Sequence, residues 1–133
     1  MNIALIESSR TVQSAIMKLL EPRGYRVSGF TNPCEALASI ASDETFDGMI
    51  TSAELSPISG IELCWEARLL SAGRRPLYII LMTSNAEEKN IIECLDMGAD
   101  EVIPKPPNPR ELFARLRVGE RTCGFNASSS DWR

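Results

Sequence analysis

Histidine is absent from the 133-residue chain, and this absence excludes several kinds of chemistry. Without an imidazole there is no Ser-His-Asp triad, no histidine general base and no histidine-ligated metal. The four cysteines lie about thirty residues apart with no C-x-x-C pair, which disfavours both a zinc site and a compact disulfide framework. We therefore expect reduced thiols at Cys34, Cys64, Cys94 and Cys123.

Long apolar runs and clusters of positive charge are also missing. The longest apolar run, Leu77 to Met82, is too short to cross a bilayer, and no cationic N-terminal segment precedes an apolar one. The formal net charge is −4 and the only tight basic cluster is Arg74-Arg75, so no nucleic-acid or anionic-membrane surface is indicated. We expect a cytoplasmic protein that binds neither nucleic acid nor membrane.

The chain has enough apolar residues for one hydrophobic core. Hydrophobic residues make up 44% of a length that is typical of one domain. We predict a single domain over residues 1–118. Residues 119–133 are polar, serine-rich and without periodicity, and there we predict a tail or a linker.

Short apolar runs alternate with segments of helical periodicity from one end of the chain to the other. The runs are continuous rather than alternating with polar residues, as is typical of strands buried on both faces. Asn-Pro pairs and single glycines mark the places where helices begin and end. Strands are predicted at NIALI (2–6), RVSGF (26–30), GMITS (48–52), LYIILM (77–82) and DEVIP (100–104).

Five strands interleaved with five helices predict a doubly wound α/β fold, in which helices cover both faces of a parallel sheet. In such sheets the functional crevice lies beyond the carboxyl ends of the strands. The polar residues predicted at those ends are Glu7, Ser8, Ser52, Thr83, Ser84 and Lys105.

Two stretches, TSAELSPISGIEL and MTSNAEEKNIIECLDMGADEVIPKPPNPRELFARL, resemble the receiver domain of two-component response regulators, of the chemotaxis-regulator (CheY-like) type. A glycine follows Ser52 by eight residues, and Thr83 precedes Lys105 by twenty-two. The resemblance covers about residues 2–118 and implies a flavodoxin-like (βα)5 domain with strand order 2-1-3-4-5. It also implies a non-enzymatic signalling module whose partner is a histidine kinase or an output domain or protein.

In that family, two acidic residues after the first strand hold Mg²⁺, and an aspartate ending the third strand takes a phosphoryl group from a kinase phosphohistidine. A hydroxyl residue and a lysine after the next two strands hold the phosphoryl oxygens. The resemblance gives the phosphate-holding roles to Thr83 and Lys105. The acid pair is here Glu7 and Ser8, and the phosphoacceptor position is Ser52, which lacks the aspartate.

These substitutions change the charge of the predicted pocket. Three carboxylates and a lysine leave the family's pocket with an excess of negative charge, whereas Glu7 and Lys105 cancel. Each missing carboxylate forfeits an attraction of several kcal/mol for a divalent cation at ~4 Å and an effective dielectric of about 20. We therefore expect weak or absent Mg²⁺ binding and no cofactor, and a substitute metal site would use Glu7 with Glu54.

The remaining polar residues of the pocket suggest structural roles. The Ser52 hydroxyl is protonated at neutral pH, and no histidine is available to activate it as a nucleophile. Glu7 is expected to form an ion pair with Lys105, and Ser8 or Ser9 to cap the first helix. The family's mobile aromatic residue, three positions before the lysine, is here Val102.

The leading hypothesis is a degenerate receiver, or pseudo-receiver, that acts through protein-protein contacts without phosphorylation. The family often dimerises or binds partners through its fourth helix, fifth strand and fifth helix, which implies residues 87–97 and 110–117 here. Two alternatives stay open: a functional phosphoacceptor with an unusual Mg²⁺ site, and the N-terminal regulatory domain of a larger signalling enzyme. Trp65 is expected to pack against the core, with a partner surface as the alternative.

Overall fold

The structure is a computed structural model that describes residues 1–74 and 76–122. Five parallel strands form one sheet in the order β2-β1-β3-β4-β5, which confirms the doubly wound fold and the strand order. The strands are β1 (Asn2–Ile6), β2 (Arg26–Phe30), β3 (Gly48–Ser52), β4 (Tyr78–Thr83) and β5 (Glu101–Pro104). The helices are α1 (Arg10–Leu20), α2 (Pro33–Ser42), α3 (Gly60–Leu70), α4 (Glu88–Asp96) and α5 (Pro109–Thr122). Each described helix is too short or too polar to span a bilayer.

Helices cover both faces of the sheet, so every residue of β3 and β4 is buried. Successive side chains of a strand point to opposite faces and therefore enter two separate cores. Ile6 and Leu81 belong to the core under α2, α3 and α4. Leu5 and Ile80 belong to the core under α1 and α5. This double burial explains the apolar runs of β1, β3 and β4, whereas the edge strand β2 is largely exposed and more polar.

The helix ends follow the capping residues that the sequence predicts. The Asn32 side chain accepts a hydrogen bond of 2.7 Å from the backbone N–H of Cys34, at the start of α2. Asn108 accepts one of 2.9 Å from the N–H of Arg110, at the start of α5. Gly98 follows α4 with a φ of +116°, a left-handed conformation that a residue with a side chain rarely adopts.

Gly60 brings the start of α3 against the end of β3. Its N–H donates a 2.9 Å hydrogen bond to the carbonyl of Ala53. A Cβ atom at position 60 would lie 1.9 Å from the carbonyl oxygen of Ser52, a distance that no side chain tolerates. The glycine eight residues after Ser52 therefore permits this close approach and fixes the backbone beside Ser52.

The last helix is longer than the sequence suggests. It continues to Thr122, past the predicted domain boundary at residue 118. Gly119 is buried, and a Cβ atom there would collide with the ring of Tyr78. Near the same end, the hydroxyl of Tyr25 donates a 2.6 Å hydrogen bond to the carboxylate of Glu120. The rest of the predicted tail, residues 123–133, lies outside the described residues.

Trp65 does not pack in the core, so that expectation is wrong. Its side chain is 44% exposed on the outer surface of α3. The core-facing positions of this helix are taken by Leu63, Cys64 and Ala67. Because successive helical residues are about 100° apart around the axis, Trp65 is turned away from the sheet.

The three cysteines in the described residues are free thiols, as expected. Cys34 is exposed, whereas Cys64 and Cys94 are buried in the core under α2, α3 and α4. Burial raises the pKa of the Cys64 thiol to about 12, and it also raises the pKa of Cys94. Both buried thiols are therefore neutral at physiological pH.

Candidate functional site

Four of the predicted site residues meet at the carboxyl edge of the sheet. Glu7 follows β1, Ser52 ends β3, Thr83 ends β4 and Lys105 follows β5. The backbone holds them there, because the N–H of Glu7 donates to Phe30 and the N–H of Lys105 donates to Thr83, both at 2.9 Å. The resulting pocket is at the place that the topology of the sheet predicts.

The ammonium group of Lys105 contacts two of these residues, Glu7 and Ser52. Its Nζ atom lies 2.8 Å from Oε1 of Glu7, which is the predicted ion pair. The same atom donates a 2.8 Å hydrogen bond to the hydroxyl oxygen of Ser52. Glu7 is 1% exposed and Ser52 is 0% exposed, whereas the side chain of Lys105 is partly exposed. One lysine thus joins the ends of β1, β3 and β5.

The second oxygen of the Glu7 carboxylate binds the start of α1. It accepts a 2.8 Å hydrogen bond from the N–H of Ser9, and the hydroxyl of Ser8 lies 3.4 Å away. Ser9 is the N-cap residue, and its side chain accepts a hydrogen bond from the N–H of Val12. The predicted capping role is therefore confirmed for Ser9, while the exposed Ser8 contacts the carboxylate.

Thr83 organises the loop that leads into α4. Its hydroxyl oxygen accepts a 3.0 Å hydrogen bond from the N–H of Asn85. The side chain of Asn90, in the first turns of α4, donates a 2.7 Å hydrogen bond to the carbonyl of Asn85. Thr83 is buried, and its hydroxyl is hydrogen-bonded to this loop.

Glu54 lies beside Thr83 and Ser84 rather than beside Glu7. Its two carboxylate oxygens lie 3.4 Å from the hydroxyl of Thr83 and 3.2 Å from that of Ser84. The residue is exposed. Within residues 1–74 and 76–122, no group of three or more acidic, cysteine or histidine side chains is arranged to hold a metal ion.

Gln13 supports the site, although the sequence patterns do not identify it. Its side-chain amide donates hydrogen bonds to the carbonyl of Phe30 at 2.9 Å and to that of Glu7 at 3.3 Å. A Cβ atom at Gly29 would collide with this amide, so the glycine makes room for it. The only sequence signal is one polar residue on a partly buried face of α1.

Val102 lies in β5 and is partly buried against the core under α2, α3 and α4. An aliphatic side chain in that place has no ring to swing between an inward and an outward position. Tyr78, an aromatic residue of the adjacent strand β4, belongs to the other core and donates a 2.8 Å hydrogen bond to Glu101.

Comparison with known proteins agrees with this architecture. Residues 3–117 match the family described as the response regulator receiver domain. The chain is 32% identical over 118 residues to the response regulator MprA of Mycobacterium avium (strain 104), covering 89% of this chain and 50% of that protein. It is 33% identical over 114 residues to the transcriptional regulatory protein CreB of Escherichia coli (strain K12), covering 86% and 48%.

A solved structure also has the same fold as this chain. The response regulator receiver domain protein (CheY-like) from Methanospirillum hungatei JF-1 superposes with a TM-score of 0.82 at 27% identity, covering 92% of this chain and 95% of that one. The chain spans about half the length of the curated relatives it matches.

Proposed function

The chain belongs to the response regulator receiver domain family, and on that premise we propose that it is a pseudo-receiver. In this proposal it is a cytoplasmic, non-enzymatic module that signals through protein-protein contacts and does not need phosphorylation. The observation that carries the proposal is the position of Lys105. Its ammonium group is already bound by Glu7 and Ser52, both at 2.8 Å.

The donor atoms in the pocket do not fit Mg²⁺, the cofactor of the family. Magnesium prefers an octahedron of oxygen ligands that includes carboxylates. Glu7 is the carboxylate that shares Lys105 with Ser52, and its two oxygens are bound to Lys105 and to the N–H of Ser9. Ser8 and Ser52 supply neutral hydroxyls in place of acids. We therefore expect magnesium binding to be weak or absent.

Ser52 is also poorly suited to accept a phosphoryl group. Its hydroxyl needs a base to remove the proton, and the chain contains no histidine. It is fully buried and accepts a hydrogen bond from a cation, which lowers the nucleophilicity of its oxygen. The serine contributes to the structure of the pocket instead.

Protein contacts are the remaining means of signalling. We assign them to the surface of α4, β5 and α5, with residues 87–97 and 110–117 as its helical parts, and a homodimer or an output domain as the partner. Reversing exposed charges there, for example Arg117→Glu, should weaken self-association or partner binding measured by sedimentation velocity. Unchanged association after such reversals would refute this surface assignment.

One alternative is a working phosphoacceptor with Glu7 and Glu54 as an unusual metal site. It is favoured by the position of Glu54 beside the hydroxyl of Thr83, 3.4 Å away. If it is correct, Glu54→Ala should abolish any response of the pocket to Mg²⁺. The other alternative is the regulatory domain of a larger signalling enzyme, which the sequence of the complete gene decides.

A titration followed by backbone amide NMR tests the proposal. Mg²⁺ is added first and beryllofluoride second, because beryllofluoride mimics a bound phosphoryl group in this family. We expect no localised shifts in the folded protein. Shifts concentrated at Glu7, Ser52, Thr83 and Lys105 would mean that the pocket still accepts a metal and a phosphoryl mimic, and the pseudo-receiver proposal would be wrong.

A further inference from the structure

Two consecutive helices carry all the exposed large apolar side chains of the described residues. Each of these side chains is at least 44% exposed. Within each helix the two residues are three or four positions apart, so they lie on one face. We refer to them together as the α3–α4 patch, which consists of Trp65, Leu69, Ile92 and Leu95.

The two helices are neighbours on the same side of the sheet. Arg68 of α3 donates a hydrogen bond to the carbonyl of Gly98, two residues after the end of α4. It also forms an ion pair of 2.9 Å with Asp100. Cys64 of α3 and Cys94 of α4 are buried in the same core. The exposed apolar residues of both helices therefore lie on the same side of the sheet, on the solvent side of neighbouring helices.

Exposed carboxylates border the patch. On α3, Glu62 lies three positions before Trp65 and Glu66 three positions before Leu69. On α4, two carboxylates lie four positions from Ile92, at helical spacing. In the described part of the chain none of them forms an ion pair. Lys89 is the only basic residue of α4, and the basic residue of α3 is the paired Arg68. The bordering carboxylates, with one further exposed acid on α4, are Glu62, Glu66, Glu88, Glu93 and Asp96.

A second copy of this chain does not match such a surface. Its own patch would place like charges against like charges, which is unfavourable. Its exposed arginines on α5, Arg110, Arg117 and Arg121, offer opposite charge, but the large apolar residues of that helix are buried. Across residues 1–74 and 76–122, the one exposed basic residue at helical spacing from an exposed large apolar side chain is Lys89, three positions before Ile92, and carboxylates outnumber it there. The complementary surface belongs to another protein.

We propose that the α3–α4 patch binds a basic amphipathic helix of a partner protein. The apolar face of that helix covers Trp65 and Leu69, and its lysines or arginines meet the bordering carboxylates. Tryptophan at the centre of an interface commonly contributes much of the binding energy, while the surrounding charges accelerate association. The inference goes beyond the proposed function, because it adds a contact surface on α3 and α4 to the surface of α4, β5 and α5 and names the class of partner that binds there.

The probe for this proposal is a synthetic peptide of leucine and lysine with its leucines at helical spacing. The chain has two tryptophans, so Trp132→Phe leaves Trp65 as the only tryptophan, whose emission is selected by exciting at wavelengths that tyrosine does not absorb. Adding the peptide should shift the Trp65 emission to shorter wavelength, because the ring loses water. The affinity should fall as salt is added, since exposed charges are screened. A peptide of the same composition with its leucines spread around the helix should bind about tenfold more weakly.

Matched charge reversals separate this site from general attraction to an acidic protein. Glu62→Lys combined with Glu66→Lys should weaken peptide binding about tenfold. Glu21→Lys combined with Glu35→Lys changes the net charge equally at exposed positions outside α3 and α4, and should leave binding unchanged. Circular dichroism verifies that both double variants are folded.

Three results would overturn the proposal: equal losses in the two double variants, equal binding of both peptides, or dimerisation of the chain that Trp65→Ala abolishes. The last result would assign the patch to a second copy. The magnesium and beryllofluoride titration tests the residues at the carboxyl edge of the sheet, whereas the peptide experiment tests the surface around Trp65. Failure of the proposed function and failure of this inference are therefore recognised separately.

Discussion

Lys105 is the residue whose contacts decide the character of the pocket. Its ammonium group bridges two buried residues, Glu7 and Ser52, while the lysine side chain is 22% exposed. Glu7→Gln keeps the size of the side chain and removes its charge, which leaves the ammonium without a counterion. We expect the free energy of unfolding to fall by about 3 kcal/mol, measured by urea denaturation.

Two further variants serve as controls for that measurement. Ser52→Ala removes the hydroxyl oxygen that accepts a hydrogen bond from the same ammonium and should cost about 2 kcal/mol. Glu7→Gln combined with Lys105→Met removes both charges and should recover most of the loss. If Glu7→Gln is as stable as the parent protein, the ion pair has no structural role.

The buried thiols predict how stability depends on pH. Burial raises the pKa of Cys64 to about 12 and also raises that of Cys94, whereas the reference pKa of a thiol is 9.0. Well below pH 9 these two thiols are neutral in both the folded and the unfolded chain and contribute no pH dependence. Above pH 9 only the unfolded chain gains thiolates, so stability should fall as the pH rises from 9 towards 12.

Thiol labelling at pH 8 tests the difference in burial between Cys34 and the two core cysteines. A thiol reagent should modify the exposed Cys34 quickly in the folded protein, and modify Cys64 and Cys94 only after unfolding in guanidinium. Peptide mapping by mass spectrometry identifies the labelled positions. Rapid labelling of Cys64 in the folded state would contradict its burial.

Among the structural elements, the start of α3 is the most tightly constrained. A Cβ atom at Gly60 would lie 1.9 Å from the carbonyl oxygen of Ser52, so Gly60→Ala must push α3 away from β3. We expect a loss of more than about 3 kcal/mol, measured by urea denaturation. The control is Ser59→Ala, which removes the N-cap hydrogen bond to Glu62 and should cost about 1 kcal/mol. Equal costs would contradict the steric role of Gly60.

The elements also show what can be predicted from the sequence. The buried strands β1, β3 and β4 carry a local signal, and so do the two helices that follow the Asn32-Pro33 and Asn108-Pro109 pairs. The structure confirms both kinds of signal. The outward position of Trp65 depends on how α3 is rotated against the sheet, which the apolar spacing alone does not fix. The extension of α5 depends on Gly119 packing against Tyr78, a contact between residues distant in sequence.

The same distinction applies to the site. The ion pair between Glu7 and Lys105 was predictable, because the topology brings the two strand ends together and their charges are opposite. The position of Glu54 beside Ser84 depends on the path of the loop between β3 and α3. The hydrogen bonds of Gln13 depend on the space left by Gly29. Neither loop path nor space is visible in a local pattern.

For the whole molecule, the balance of charge in the pocket predicts a gain of function. Ser8→Asp combined with Ser52→Asp would place two more carboxylates beside Glu7, whose carboxylate already lies 3.4 Å from the hydroxyl of Ser8. The pocket would then attract a divalent cation. We expect this double variant to bind Mg²⁺ with a dissociation constant in the millimolar range, measured by the NMR titration described above.

Ser28→Asp combined with Ser42→Asp is the control, because it adds the same charge at exposed positions away from the pocket. It should not create a magnesium site. A lack of response in both double variants would show that the arrangement of Lys105, and not the number of carboxylates alone, prevents metal binding.

Under the proposed function, the contacts of Lys105 also determine how long the signal of the pseudo-receiver lasts. An acyl phosphate forms and hydrolyses, so an ordinary receiver retains a record of a recent stimulus that fades. An ion pair between two side chains of the same chain has no such lifetime and needs no donor. Under the proposed function, the strength of the signal follows the number of folded copies. Synthesis, degradation and mass action would then set the occupancy of the partner.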